Sequence, residues 1–138
     1  MVYYAVIDTN LLVSALLSRN MEAATVLVLE HLFSGDVIPV YNDDILSEYA
    51  EVLQRKKFKF SESLVQTLLD TIKKFGYYVI PSPTGETLPD MKDLPFYEVS
   101  MDTQDKNSYL VTGNLKHFPK KPFIVSAREF INIIEHNS

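Results

Sequence analysis

The stretch Tyr3-Tyr4-Ala5-Val6-Ile7-Asp8-Thr9-Asn10 decides the fold class of this chain. Its first five residues form a continuous apolar run rather than an alternating one, which predicts a strand buried on both of its faces. The run stops at Asp8, so a carboxylate is expected at the carboxyl end of that strand. Thr9 or Asn10 is expected to cap the helix that follows, because both residue types are favoured at this position.

The rest of the chain repeats this alternation of buried strand and amphipathic helix. Further strands are predicted over residues 37–41, 77–80, 108–112 and 123–125. Helices are predicted over about 22–33, from 42–44 through Leu53, from Ser61 to Gly76, over about 94–102, and after the capping box Ser126-Ala127-Arg128-Glu129. The proline-rich residues 81–92 predict a loop. This order predicts an α/β fold with a mostly parallel sheet of about five strands.

Composition limits the classes of protein and site that the chain can form. Its 138 residues fit one domain over 1–138, and its 46% apolar and 22% charged residues are typical of a globular protein. The absence of cysteine excludes disulfides, thiolate zinc sites and a cysteine nucleophile. The four glycines include no phosphate-binding P-loop motif. A formal net charge of −5 argues mildly against binding nucleic acid through bulk charge.

The chain has no sequence signal for secretion or for a membrane. Its first residues lack a basic segment, and Asp8 interrupts the apolar stretch that a signal peptide would need. No apolar run approaches the roughly 18 to 20 residues of a membrane span. A soluble, cytoplasmic protein without a membrane partner is therefore expected.

Four polar side chains stand where a parallel sheet would bring them together. Asp8 and Asn114 follow predicted strands, while Glu48 and Asp93 lie at or near the starts of helices. Each has an ordinary alternative: Asp8 and Asp93 can be helix caps, Glu48 a solvated helix residue and Asn114 a turn residue. In open α/β sheets, however, ligands bind beyond the carboxyl ends of the strands.

Such a convergence of the four side chains would suit a hard cation. Three carboxylates and an amide oxygen, without His or Cys, are the ligands of Mg²⁺ or Mn²⁺. Clustered carboxylates repel one another, so a divalent ion would supply the missing positive charge. The chemistry that follows is hydrolysis of a phosphodiester, because such an ion can activate water and neutralise phosphoryl oxygens.

Four segments of the chain together resemble a PIN-domain ribonuclease. They are residues 7–10 (Ile-Asp-Thr-Asn), 45–53 (Ile-Leu-Ser-Glu-Tyr-Ala-Glu-Val-Leu), 90–97 (Asp-Met-Lys-Asp-Leu-Pro-Phe-Tyr) and 110–114 (Leu-Val-Thr-Gly-Asn). The likeness covers nearly the whole chain, with the motifs in family order, and is strongest to VapC-like toxins of bacterial toxin–antitoxin systems. It implies a Rossmann-like three-layer α/β/α sandwich, Mg²⁺ or Mn²⁺, and cleavage of single-stranded RNA.

The resemblance also assigns roles to individual residues. Asp8, Glu48 and Asp93 match the three recurrent acidic metal ligands of the family. Thr112 matches the Thr or Ser that often precedes the last motif position, and Asn10 matches the polar residue that supports the first acid. The resemblance further implies a homodimer and a cognate antitoxin that covers the acidic site with a basic side chain.

Asn114 departs from the family pattern, which often has Asp at this position. An amide oxygen can still ligate a metal or bind its water, but it carries no charge, so a one-metal mechanism is favoured. Asp90, three residues before Asp93, is a reserve ligand, and Asp105 is a weaker one. The missing acid also keeps open a degenerate PIN domain that binds RNA or a protein partner without cutting.

The residues expected to contact RNA follow Asn114 directly. In the loop after this residue, lysines can hold phosphates while an imidazole or a phenyl ring stacks on a base. The predicted contacts are Lys116, His117, Phe118 and Lys120, with the patch from Arg55 to Phe60 as a second candidate. Both segments could equally be solvated basic loops.

Two other folds place an acid after the first strand and fit less well. A HAD-type phosphatase needs a second acid two residues later, where this chain has Asn10. A phospho-acceptor receiver domain needs an acidic pair near the end of its first strand, and no acids precede that strand here.

Overall fold

The computed structural model describes residues 1–137, which form a five-stranded parallel sheet covered by six α-helices. The strands are β1 (Tyr3–Ile7), β2 (Val37–Tyr41), β3 (Tyr77–Tyr78), β4 (Tyr109–Val111) and β5 (Ile124–Val125). The helices are α1 (Thr9–Leu17), α2 (Ala24–Ser34), α3 (Asp43–Leu53), α4 (Glu62–Phe75), α5 (Leu94–Asp102) and α6 (Ala127–His136). Short 3-10 turns precede α4, α5 and β4 and follow β4.

The strand order creates a crevice beside β1. The order across the sheet is β3-β2-β1-β4-β5, and every pairing is parallel. The chain therefore moves outward through β2 and β3, crosses back over β1, and continues through β4 and β5. Ala5 pairs with Pro39 on one side and with Tyr109 on the other. Ligands of open α/β sheets bind at such a reversal, beyond the carboxyl ends of β1 and β4.

The central strands confirm the predicted three-layer sandwich. Ala5, Val6 and Ile7 are each at most 1% exposed, and Leu110 and Val111 in β4 are fully buried. Successive side chains of a strand point to opposite faces, so burial of consecutive residues means that both faces of the sheet are covered. α2 packs against α1 and α6, while α3 packs against α4 and α5.

Most element boundaries agree with the sequence prediction, and the differences have local causes. α1 begins at Thr9, so Asp8 takes the N-cap position instead of Thr9 or Asn10. α2 begins at Ala24 rather than near Glu22, whose amide donates to the Asn20 side chain in the preceding turn. β3 ends at Tyr78, two residues before the predicted end of that strand.

Two predicted helix ends are confirmed in atomic detail. The Ser126 amide donates to Glu129 Oε1 at 3.0 Å and the Glu129 amide to Ser126 Oγ at 3.1 Å, which completes the capping box of α6. Gly76 ends α4 beside β2. A Cβ at this position would lie 2.8 Å from the Pro39 carbonyl oxygen, so glycine permits the close approach.

None of the helices formed by residues 1–137 combines the length and the apolar character that crossing a membrane would require.

Candidate active site

Asp8 lies at the crevice between β1 and β4. Its backbone amide donates to the Val111 carbonyl at 2.9 Å, which extends the pairing of the two strands by one residue. Its side chain is 4% exposed and makes no capping hydrogen bond to α1. Oδ2 instead accepts a hydrogen bond of 2.7 Å from the Thr112 hydroxyl. Asp8 therefore occupies the N-cap position of α1, and its carboxylate also connects the end of β1 to the turn after β4.

Thr112 is oriented toward Asp8 by the turn that follows β4. The Asn114 backbone amide donates to Thr112 Oγ1 at 3.0 Å, and Thr112 is fully buried. Because its oxygen already accepts from that amide, the hydroxyl proton is directed to Asp8. The contact between Asn114 and this site therefore runs through its backbone, while its half-buried side chain lies at the edge of the crevice.

Glu48 reaches the same region from α3. Its Oε2 accepts a hydrogen bond from the Thr9 hydroxyl, which lies in the first turn of α1 directly after Asp8. Burial raises the pKa of Glu48. The hydrogen bond from Thr9 lowers this pKa, and the negative charge of Asp8 raises it. The electrostatic effect of Asp8 on Glu48 means that the two carboxylates are close enough to repel one another.

Asp93 is the third carboxylate and immediately precedes α5. Burial and, after it, the charges of Asp8 and Asp90 together raise its pKa to about 6. His117 opposes the shift, since its Nδ1 lies 3.4 Å from Asp93 Oδ2. Asp93 is therefore held between repulsion from acids inside the crevice and attraction to an imidazole on the loop after β4.

Asp8 is the electrostatic centre of the three acids. Burial raises its own pKa, and the hydrogen bond from Thr112 and the backbone amides of Asn10 and Thr9 act against that rise. The same carboxylate raises the pKa of both Glu48 and Asp93. Three acids from β1, α3 and α5 are thus brought within electrostatic reach of one another, as the parallel sheet predicts.

The oxygens of this site suit a hard divalent cation, although the acids do not yet share one point. Among residues 1–137, no three His, Asp or Glu side chains already lie close enough together to hold a metal ion. Burial is the main cause that raises the pKa of Asp8, Glu48 and Asp93, so their ionised forms are disfavoured in the metal-free protein. A cation that drew the carboxylates together would favour those ionised forms.

The supporting acids and amides occupy less central places. Asn10 is exposed, and its backbone amide is the part that stabilises the Asp8 carboxylate. Asp90 caps the short turn before α5 by accepting from the Lys92 amide at 3.0 Å. Asp105 lies in the turn that leads into β4 and so stands at the opposite edge of the sheet; it is not a reserve ligand.

The predicted RNA contacts divide into available and unavailable side chains. Lys116 and Lys120 are exposed, and His117 is half-buried against Asp93. Phe118 is only 6% exposed and belongs to the hydrophobic core, so its ring is not available to stack on a base and that prediction is corrected. Arg55 lies beyond the far end of α3, where its guanidinium is paired with Glu51 at 3.1 Å.

Sequence reasoning missed two residues that support the site. Thr9 was expected to act as a helix cap, but its hydroxyl holds Glu48. Tyr49 of α3 is fully buried, and its hydroxyl donates to the Ile7 carbonyl directly before Asp8. The only signal was its position next to Glu48, since helical periodicity gives the face of a side chain and not the target of its hydroxyl.

Comparison with known proteins identifies the family of this chain. No curated protein matches the chain. The family model described as the PIN domain matches residues 4–116, which include most of β1, all of β2 to β4, the three acids and Asn114. This match covers most of the chain, and the parallel sheet agrees with it. The chain therefore belongs to the PIN-domain family.

Proposed function

We propose that the protein is a metal-dependent endoribonuclease that hydrolyses phosphodiester bonds of single-stranded RNA. The PIN domain is a nuclease-type fold. Asp8 of this chain lies beyond the carboxyl end of β1, where open α/β sheets bind ligands. The observation that carries the proposal is the placement of Asp8, Glu48 and Asp93 around the crevice beside β1, with Asp8 raising the pKa of the other two.

In this proposal Asp8, Glu48 and Asp93 hold Mg²⁺ or Mn²⁺. When bound, such an ion supplies positive charge against the phosphoryl oxygens and makes water more acidic. The remaining residues keep the carboxylates in place. Thr112 fixes one oxygen of Asp8, and the Thr9 hydroxyl fixes one oxygen of Glu48.

Asn114 favours one cation rather than two. Its side chain can offer an amide oxygen but no negative charge, and two divalent ions need more compensation than three carboxylates provide. The proposal therefore assigns Asn114 to orienting water or substrate at the edge of the crevice. Its backbone amide, through Thr112, connects that edge to Asp8.

The experiment compares Asp8→Asn with Asp105→Asn on single-stranded RNA in Mn²⁺. Both substitutions remove one carboxylate charge, but Asp105 lies at the opposite edge of the sheet. We expect the wild-type protein and Asp105→Asn to cut the RNA, EDTA to stop them, and Asp8→Asn to be inactive. Equal loss of RNA with both variants would indicate a contaminating nuclease and would refute the proposal.

We further propose that this ribonuclease is the toxin of a toxin–antitoxin pair and forms a homodimer. The resemblance to VapC-like toxins supports this role, and an acidic crevice would attract a basic side chain of an antitoxin. Expression of the wild-type chain alone should arrest growth, while Asp8→Asn should not. Harmless expression of an active enzyme would refute the toxin role, and a monomer in sedimentation would refute the dimer.

A degenerate PIN domain that binds RNA or a protein partner without cleavage is the second candidate. Asn114 in place of an acid and the separation of the three carboxylates favour it. The same assay decides between the two functions. RNA binding without cleavage in Mn²⁺ or Mg²⁺, across varied single-stranded RNAs, would support the binding module.

A further inference from the structure

A pocket opens on the loop between β4 and β5. Most of its lining residues follow residue 116, where the family match ends. Its volume is about 670 Å³, which is in the range of about 300–1,000 Å³ for small-ligand pockets. Its apolar lining consists of Leu115, Phe118, Pro119, Pro122 and Ile124. The two prolines restrict the loop backbone, so the shape of the pocket is built into the loop.

Three lysines surround this apolar lining. Lys116, Lys120 and Lys121 line the same pocket, and none of them has an ion-pair partner within residues 1–137. The chain between Asp105 and Glu129 contains no acid, although the whole protein has 18. A basic and apolar pocket on an acidic protein is complementary to a ligand with a flat apolar ring and a negative charge.

The loop that forms the pocket also contacts the proposed active site. His117 lies between Lys116 and Phe118 in sequence, and its Nδ1 is 3.4 Å from Asp93 Oδ2. One side of the loop therefore faces the carboxylates while neighbouring residues form the pocket. A strand held at the carboxylates would place an adjacent nucleotide over this loop.

We propose that this pocket binds one nucleotide of single-stranded RNA beside the cleavage point. The base packs on the exposed apolar lining residues Leu115 and Pro122, and the lysines contact the flanking phosphates. The inference rests on the proposed ribonuclease function and adds the binding site that holds its substrate. In this proposal the base does not stack on Phe118, because Phe118 is buried and only contributes to the lining of the pocket.

The first test measures binding of a labelled ten-nucleotide single-stranded RNA by fluorescence anisotropy in EDTA, where no cleavage interferes. The double variant Lys120→Gln/Lys121→Gln should weaken binding about tenfold. It should also make the slope of log Kobs against log[salt] shallower by roughly 1.4, since each phosphate contact with a single strand contributes about 0.7. Lys73→Gln with Lys74→Gln is the matched control, because it removes the same charge at the end of α4. Equal effects of the two pairs would overturn the proposal.

The second test separates the base from the phosphates. Leu115→Ser changes a pocket residue that is 43% exposed, so folding should tolerate it. It should weaken binding of the RNA about fivefold, because it removes apolar surface against which the base packs. Binding of inorganic polyphosphate, which has no base, should not change. An equal loss of affinity for the RNA and for polyphosphate would refute the proposed nucleotide site. So would the absence of RNA binding by the wild-type protein.

Cleavage of the same RNA in Mn²⁺ distinguishes failure of this inference from failure of the proposed function. Binding that depends on the pocket, without cleavage by the wild-type protein, refutes the ribonuclease and supports the pocket. Cleavage by all pocket variants at the wild-type rate, with unchanged binding, supports the ribonuclease and refutes the pocket.

Discussion

Thr112 is the residue on which the orientation of Asp8 depends most directly. Thr112→Val keeps the shape of the side chain but removes the hydroxyl that donates to Asp8 Oδ2 at 2.7 Å. Asp8 then loses the hydrogen bond that opposes the rise of its pKa, and its oxygen is free to rotate. We expect cleavage or Mn²⁺ affinity to fall about 10- to 100-fold, as for other residues that orient metal ligands.

The control for this prediction is Thr112→Ser, which retains the hydroxyl. Cleavage rates should be measured over a series of Mn²⁺ concentrations, with thermal unfolding as a check on stability. Wild-type rates for Thr112→Val at every Mn²⁺ concentration would show that the hydrogen bond has no role in the reaction.

Asp93 makes the stability of the metal-free protein depend on pH. Its pKa is raised from 3.8 to about 6 in the folded protein, so the folded state retains a proton that the unfolded state releases. Its contribution to stability is therefore fully present below about pH 4 and is lost as pH rises through 6. Asp93→Asn removes the ionised form and should stabilise the protein at pH 7.5 but not at pH 4.

Urea unfolding in EDTA measures this difference at the two pH values. After a discount for solvent screening of a partly exposed carboxyl, we expect a gain of about 1 kcal/mol for Asp93→Asn at pH 7.5. Saturating Mn²⁺ should reverse the ranking, because the wild-type carboxylate would then bind the ion. An equal gain in the free energy of unfolding at pH 4 and pH 7.5 would contradict the raised pKa of Asp93.

At the scale of elements, α3 holds the end of β1 through Tyr49. The Tyr49 hydroxyl donates to the Ile7 carbonyl from a fully buried position, next to the backbone of Asp8. Tyr49→Phe removes this donor and leaves a buried carbonyl without it. The free energy of unfolding should fall by about 1–3 kcal/mol, and cleavage should fall because Asp8 is less firmly held.

Chemical denaturation and cleavage assays on the same preparation check this prediction. Tyr41→Phe is a matched control, because Tyr41 is a buried tyrosine at the end of the neighbouring strand β2. Equal effects of Tyr49→Phe and Tyr41→Phe on stability and cleavage would show that the hydrogen bond from Tyr49 to Ile7 has no particular role in positioning β1.

Elements could be predicted from the sequence better than the contacts between them. β1, β2 and α5 have the predicted bounds, because an apolar run or a proline in the first turn is a local signal. The contacts of Thr9 with Glu48 and of His117 with Asp93 join residues far apart in sequence, so no local pattern contains them. Phe118 was misjudged because a basic loop can bury one ring in the core.

At the scale of the whole molecule, three of the five net negative charges belong to the carboxylates of the proposed metal site. Without Asp8, Glu48 and Asp93, 15 of the 18 acids remain against 13 basic residues, so the rest of the protein is close to neutral. RNA would then be attracted by the metal-bound crevice and by the lysines of one loop rather than by a broad basic surface. This distribution of charge predicts how binding responds to salt.

The salt dependence of RNA binding should therefore be shallow for a protein that handles RNA. If only Lys116, Lys120 and Lys121 contact phosphates, log Kobs should fall with log[salt] with a slope of roughly −2 in EDTA. A second basic surface is the turn from Lys56 to Phe58 with Lys59, and the double variant Lys56→Gln/Lys59→Gln should leave that slope unchanged. A slope steeper than about −4, reduced by this second pair, would instead mean that RNA extends across the molecule to the far end of α3.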